Sequence, residues 1–207
     1  MSGFRAASAR RFGAALVLAA LPLVLAPTGP AAGYDAEAGR AIATEVCAAC
    51  HGPAGNSQIA TVPSLAGQRS RYIILALFQF RAGHRRSEQM APFAAKLSDD
   101  DLGNLAAYYS AQPPGPPAGA SDPDRSAAAR RRTDELHCTQ CHGPRLTGQE
   151  HIPRLAGQHA EYLKEQLRGF KAATRGDIDG SMTSAAQALF DGEIDLLADY
   201  LAGLPPQ

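Results

Sequence analysis

Two five-residue frames hold every cysteine of the chain: CAACH, Cys47 to His51, and CTQCH, Cys138 to His142. On a helical turn the two cysteines and the histidine of each frame stand at i, i+3 and i+4, so the three side chains share a face. That face suits a flat ligand standing on edge, with two thiols forming thioethers to its vinyl groups and the imidazole reaching a central iron. C-x-x-C-H is accordingly read as a c-type haem attachment site. The competing readings fit less well. A zinc ribbon wants its cysteine pairs about 15–20 residues apart, whereas 87 residues lie between Cys50 and Cys138. A thioredoxin-like dithiol expects βαβ surroundings, and none are legible here. A plain short-loop disulfide explains neither trailing histidine.

An iron held by one histidine needs a sixth ligand or an open position, and a ligand should recur after both frames. Met90 follows His51 by 39 residues and Met182 follows His142 by 40. Apart from Met1 they are the only methionines. Both lie in polar stretches, where a gap-filling core methionine is not expected. We therefore expect Met90 and Met182 to be axial ligands opposite His51 and His142, a pair that raises the reduction potential relative to stronger-field or anionic ligands. The carbonyls of Pro63 and Pro153 are expected to accept the Nδ1–H of the ligating histidines and fix their orientation, with Leu65 and Leu155 packing on the haem face. His84, His137, His151 and His159 recur at no matching position and read as surface or local structural residues. Tyr72, Tyr108, Tyr162 and Tyr200 read as core or interhelix aromatics, and Arg130 to Arg132 and Asp99 to Asp101 as solvated helix faces.

The elements that must position these residues also come twice. VPSLAGQ (62–68) recurs as IPRLAGQ (152–158), Tyr72 and Phe80 as Tyr162 and Phe170, and DLGNLAAYYSA as EIDLLADYLAG, with shifts of 90 to 92 residues. Such persistence of order and spacing marks an internal duplication. Between the copies runs AQPPGPPAGASDP, which can neither continue a helix nor join a strand ladder. This gives an N-terminal domain over 34–111, a linker over 112–123 and a C-terminal domain over 124–207. Each unit is small for a self-sufficient apolar core, a deficit that a large apolar cofactor would make good. Within each, Ile73, Leu77 and Phe80, and again Leu163, Leu167 and Phe170, keep i, i+4, i+7 spacing. Ser98 and Asp101 have capping-box spacing, and Asp35 and Asp122-Pro123 suit helix starts. No alternating strand is legible, so the expected class is all-α.

Ahead of both copies, Arg5, Arg10 and Arg11 precede an apolar run, Phe12 to Ala26, and then small residues. Residues 1–33 read as a secretory signal peptide, with an apolar run short of the roughly 20 residues of a spanning helix. Without it the remaining 174 residues carry 17 basic and 20 acidic side chains. That balance argues against nucleic acid, which calls for a strongly basic surface.

The segments CAACHGPAGNS, PSLAGQ, MAPFAAKLSDDDLGNLAAYY, CTQCHGP, PRLAGQHAEYLKEQLRGFK and the Met182 stretch together resemble the dihaem cytochrome c4 family over essentially all of the chain after the leader. The resemblance implies two tandem class I cytochrome c domains about a pseudo-twofold axis, with haem edges approaching and propionates hydrogen-bonded at their interface. It implies two covalent haem c groups, Cys47, Cys50, Cys138 and Cys141 as attachment residues, and His51, Met90, His142 and Met182 as axial ligands. It further implies a periplasmic electron carrier, with quinol–cytochrome c reductase-type donors and terminal oxidases among its partners. From the charge balance and the short apolar run we expect no nucleic acid and no membrane span in the mature chain, with peripheral membrane association left open. GQRSRY departs from the family, standing where the second copy has GQHAEY. The leading helix of the second copy, RSAAARRRTDEL, is also unusually charged.

Two readings of function follow. An electron-transfer protein needs both irons closed; a haem subunit of a redox enzyme, of dihaem peroxidase or sulfur-compound dehydrogenase type, needs one open or displaceable position. One asymmetry between the copies stands out: Ile74 and Phe78 align with Lys164 and Arg168. An apolar stripe of that kind is expected to be covered, by the domain interface or by a redox partner.

Overall fold

The computed structural model describes residues 33–119 and 122–206. All but Gly33 of the expected signal peptide lies outside the described residues. Among them there is no β-strand, only an isolated bridge between Gln149 and Ile152, and no helix is long and apolar enough to cross a membrane.

The first copy begins with α1 (Ala36–Ile42), capped by Asp35, whose Oδ1 accepts from the Glu37 and Ala38 amides at 2.8 and 3.2 Å. The helix widens into a π turn over Ala43–Cys47 and continues as α2 (Ala48–His51). It ends at Gly52, whose φ of +76° and the Asn56 carbonyl, 2.1 Å from where a Cβ would sit, together admit only glycine. After a loop come α3 (Ser70–Arg81), the short α4 (Ala91–Ala94) and α5 (Asp99–Ala111), the last opened by a full Ser98–Asp101 capping box. The second copy repeats the order with α6 (Pro123–Glu135), α7 (Cys138–His142), α8 (Ala160–Lys171), α9 (Ser181–Gln187) and α10 (Asp191–Gly203). Helices α3 and α8 cover the expected periodic runs, in register at 90 residues. Asp122 caps α6, with Pro123 at its first position.

The copies differ in how the chain enters the C-x-x-C-H turn. In the first it arrives through the π turn; in the second the helix stops at Glu135 and His137 takes a left-handed φ of +56° before α7 begins. A π turn inside a helix is frequent at functional positions.

In each copy the last helix packs against both the first helix and the middle one: α5 on α1 and α3, and α10 on α6 and α8. In the first copy α1 crosses α5 closely: a Cβ on Gly39 would lie 2.0 Å from the Asn104 carbonyl oxygen, and Asn104 Oδ1 accepts from the Asp35 amide at 2.7 Å. Ala43, Ile73, Leu105, Ala106 and Tyr109 form this core. In the second, Ala129, Leu189, Ile194 and Leu197 form one cluster and Leu146, Ala156, Leu163, Ala198 and Leu201 another. The only large side chains that are fully buried among the described residues are Leu105 and Ile194. So thin a core is what small units show when part of their apolar interior is left to a prosthetic group.

The Ile74–Phe78 stripe has an explanation inside its own copy. Lys164 pairs with Asp199 at 3.0 Å and Glu161 at 2.9 Å, and Arg168 pairs with Asp195 at 2.7 Å. At the positions equivalent to Asp195 and Asp199, α5 carries Gly103 and Ala107, so the first copy has no acids for cations to meet. Ile74 instead packs against its own core. The expectation that the domain interface covers the stripe is corrected for Phe78, which stays 43 % exposed.

Candidate haem sites and the seam between the copies

His51 closes α2 and His142 closes α7, both buried, at 7 % and 4 % exposure. Each places Nδ1 at 2.9 Å from a proline carbonyl, Pro63 for His51 and Pro153 for His142. A carbonyl only accepts, so Nδ1 carries the proton and Nε2 is left with its lone pair. Burial lowers both imidazole pKa values, against a smaller opposing effect of the carbonyl bond, and so favours the neutral ring a metal requires.

The four thiols are free: Cys47 and Cys138 half-buried, Cys50 and Cys141 exposed, the same pattern in both copies. Burial pushes the Cys47 and Cys138 thiols up. Among the described residues no three His, Cys, Asp or Glu side chains gather as a metal site, so the two frames do not pool their thiols into one tetrahedral centre. Met90 stands just before α4, half-buried, its amide on Ser87 Oγ at 3.2 Å. Met182 lies in the first turn of α9, half-buried, its amide on Asp177 Oδ2 at 2.7 Å. Helix α4 packs on α3, and α9 on α8. A neutral imidazole with Nε2 available and two unpaired thiols on the same turn, presented twice, is a donor set that fits covalent haem.

The loops carrying the two prolines are built alike. The Gly55 carbonyl accepts from the Leu65 and Ala66 amides at 2.7 and 3.1 Å, and the Leu146 carbonyl does the same for Leu155 and Ala156 at 2.8 and 3.1 Å. Gly67 donates to the Tyr109 carbonyl and Gly157 to that of Leu201, tying each loop to the last helix of its copy.

From these loops the copies reach across to each other in crossed, equivalent pairs. Gln158 accepts from the Ser64 amide at 2.9 Å and donates to the Ser64 carbonyl at 2.9 Å. Gln68 does the same to Arg154, at 2.7 and 3.1 Å. Arg69 donates Nε and Nη2 to the Gly148 carbonyl, and its counterpart His159 donates Nε2 to the Ser57 carbonyl at 3.0 Å. Arg85 donates to the Tyr162 hydroxyl at 3.0 Å and to Gln166 at 2.8 Å, while Arg175 reaches the same Gln166 oxygen at 2.5 Å. Both guanidiniums stack on a phenylalanine of their own copy, Phe80 at 4.4 Å and Phe170 at 4.3 Å. Burial pushes the Tyr72 phenol up, and the charges of Arg85 and Arg175 outweigh it, holding the group at about 8.

Sequence reasoning anticipated the proline carbonyls that hold His51 and His142 but missed the seam. His159 is a cross-copy donor rather than a local residue, and the departure at Arg69 is a longer donor doing the same task. The only available signal was the doubled GQ, with a donor-bearing side chain after each.

A family model described as cytochrome c oxidase, cbb3-type, subunit III matches residues 34–108, and one described as cytochrome c matches 126–205. A cytochrome c4 from Thiocapsa roseopersicina is 41 % identical over 181 residues, covering 82 % of this chain and 93 % of that one. The crystal structure of reduced cytochrome c4 from Pseudomonas stutzeri superposes with a TM-score of 0.76 at 35 % identity, covering 84 % of this chain and all of that one. A thiosulfate dehydrogenase electron acceptor from Thiomonas intermedia is 35 % identical over 170 residues, 77 % of this chain and 78 % of that one. Duplicated helical halves, a C-x-x-C-H turn with a buried, carbonyl-anchored histidine in each, and relatives of this identity along both chains lead to one conclusion: the chain belongs to the cytochrome c4 family, dihaem electron-transfer proteins with two covalently bound haem c groups.

Proposed function

We propose that this chain is a periplasmic electron carrier, shuttling electrons from a quinol–cytochrome c reductase-type donor to an acceptor such as a terminal oxidase. The domains at 34–111 and 124–207, joined by the linker at 112–123, each bind one haem. Cys47 and Cys50 form the thioethers of the first, Cys138 and Cys141 those of the second. His51 and Met90 are the axial ligands of one iron, His142 and Met182 of the other. The haem c groups supply the one-electron chemistry.

The observation that carries this reading is the pair of buried histidines, each with Nδ1–H anchored on a proline carbonyl at 2.9 Å and Nε2 left for a metal. An imidazole held this way cannot rotate or change tautomer as the iron changes charge, so little rearrangement accompanies transfer. A methionine closing the opposite side leaves no position for substrate. Weak, small docking surfaces suit such a carrier.

The similarity to a thiosulfate dehydrogenase electron acceptor favours a second reading, in which the chain serves a sulfur-compound dehydrogenase as its haem-bearing partner. A potentiometric titration followed by visible absorption tests both. Two haems, each with the ferric charge-transfer band of methionine ligation, support the carrier; a haem lacking that band in either oxidation state overturns it in favour of an enzyme subunit.

A further inference from the structure

The glutamines of the seam do more than join the copies, because of where they attach. The peptide unit between Pro63 and Ser64 offers its oxygen to His51 Nδ1–H at 2.9 Å and its N–H to Gln158 Oε1 at 2.9 Å. The peptide unit between Pro153 and Arg154 offers its oxygen to His142 Nδ1–H at 2.9 Å and its N–H to Gln68 Oε1 at 2.7 Å. A single amide thus stands between each candidate ligand and a side chain of the other copy. Gln68 and Gln158 are 4 % and 3 % exposed, so water does not compete. The orientation of both side-chain amides is fixed by their partners. Each Oε1 also accepts a second backbone N–H, from Arg69 at 2.9 Å or His159 at 3.1 Å, and each Nε2 meets a carbonyl.

We propose that Gln158 tunes the iron held by His51, and Gln68 the iron held by His142, each acting as a positioning residue on the opposite copy. The amide is conjugated, so an acceptor on its N–H moves electron density to its oxygen. Hydrogen bonds in such a chain strengthen one another by about 10–30 % per bond. A stronger acceptor on Nδ1–H makes the imidazole a more basic ligand, which stabilises the ferric state and lowers the potential. Each glutamine therefore holds down the potential of the haem that its own copy does not contain.

The inference rests on the proposed histidine ligation, and the two are separable in one set of samples. In the holoprotein, Gln158→Leu and Gln68→Leu are titrated potentiometrically, with haem methyl resonances assigned to each copy reporting each iron. Gln158→Leu is expected to raise the potential of the His51 iron and leave that of the His142 iron, and Gln68→Leu to do the reverse. The His51 Nδ1–H proton resonance should move upfield in Gln158→Leu, as for a weakened hydrogen bond. Gln158→Glu, which places a stronger acceptor on the same N–H, should shift the His51 iron in the opposite direction and provides the reading if the leucine variant does not fold. Equal shifts at both irons, as a loosened seam would give, a shift at the iron of the variant's own copy, or none at all overturn the proposal. Haem content and the methionine charge-transfer band, measured on the same samples, report the ligation itself.

Discussion

Arg69 in the first copy and Gly148 in the second face each other across the seam, two guanidinium donors converging on one buried carbonyl oxygen at 2.9 and 2.7 Å. The equivalent contact in the other direction, His159 to Ser57, is a single bond. Removing the arginine leaves that carbonyl without its cross-copy donors. Arg69→Ala should destabilise the folded chain by about 1 kcal/mol. Arg69→His, which restores the side chain of the second copy, should recover part of that loss. Urea denaturation with a common slope for all three proteins checks the order.

Gly39 and Gly192 should respond in opposite senses. A Cβ at Gly39 meets the Asn104 carbonyl oxygen at 2.0 Å and its carbon at 2.4 Å, both backbone atoms of α5, so the two helices must separate. Gly39→Ala is expected to cost about 3 kcal/mol. A Cβ at Gly192, within α10 at ordinary φ, meets nothing within 4 Å. Gly192→Ala should therefore stabilise by about 0.5 kcal/mol, through the unfolded chain. Thermal unfolding of both variants decides the matter.

Replacing the apolar stripe of α3 by the cations of α8 separates two positions that look alike in sequence. Phe78 is 43 % exposed and Phe78→Arg should change stability by less than about 0.5 kcal/mol. Ile74 packs on the core of its copy, where no acid waits as Asp199 does for Lys164. Ile74→Lys should cost about 2 kcal/mol. If Phe78 serves a redox partner, Phe78→Arg will slow electron transfer to that partner while the unfolding curve stays put.

Met90→Ala and Met182→Ala should each open one iron. The expected result is loss of half the ferric methionine band, a lower potential for one haem, and new binding of cyanide or imidazole at that haem. Each variant should leave the other copy's spectrum unchanged. Ligand titration by absorption reads it directly.

What the sequence made legible was local. The i, i+4, i+7 runs gave α3 and α8, the polar residues Asp35, Ser98 and Asp122 gave helix starts, and the spacing to Pro63 and Pro153 gave the histidine anchors. What it hid was either backbone conformation or distance. Nothing in ATEVC announces a π turn, and nothing in LHC announces a left-handed His137, because both arise from how the chain must meet its neighbours. Asp99 stays exposed on the solvated face as read, but its reach back to Arg81 at 2.5 Å spans 18 residues and left no signal. The pairs Gln68–Arg154 and Gln158–Ser64 span 86 and 94 residues, and a contact of that reach leaves no period behind.

The crossed pairs of the seam have the form of an isologous interface, in which residue i of one unit meets j of the other while j meets i. Such an interface belongs to two identical subunits about a twofold axis. The duplicated chain thus has the form of a homodimer with its two partners joined end to end, the Pro/Gly-rich segment being the join. Once joined, the two copies no longer had to match. Arg69 could part from His159, and Ile74 from Lys164, without either change being imposed twice. The join leaves two distinguishable halves where a symmetric pair would have two identical ones.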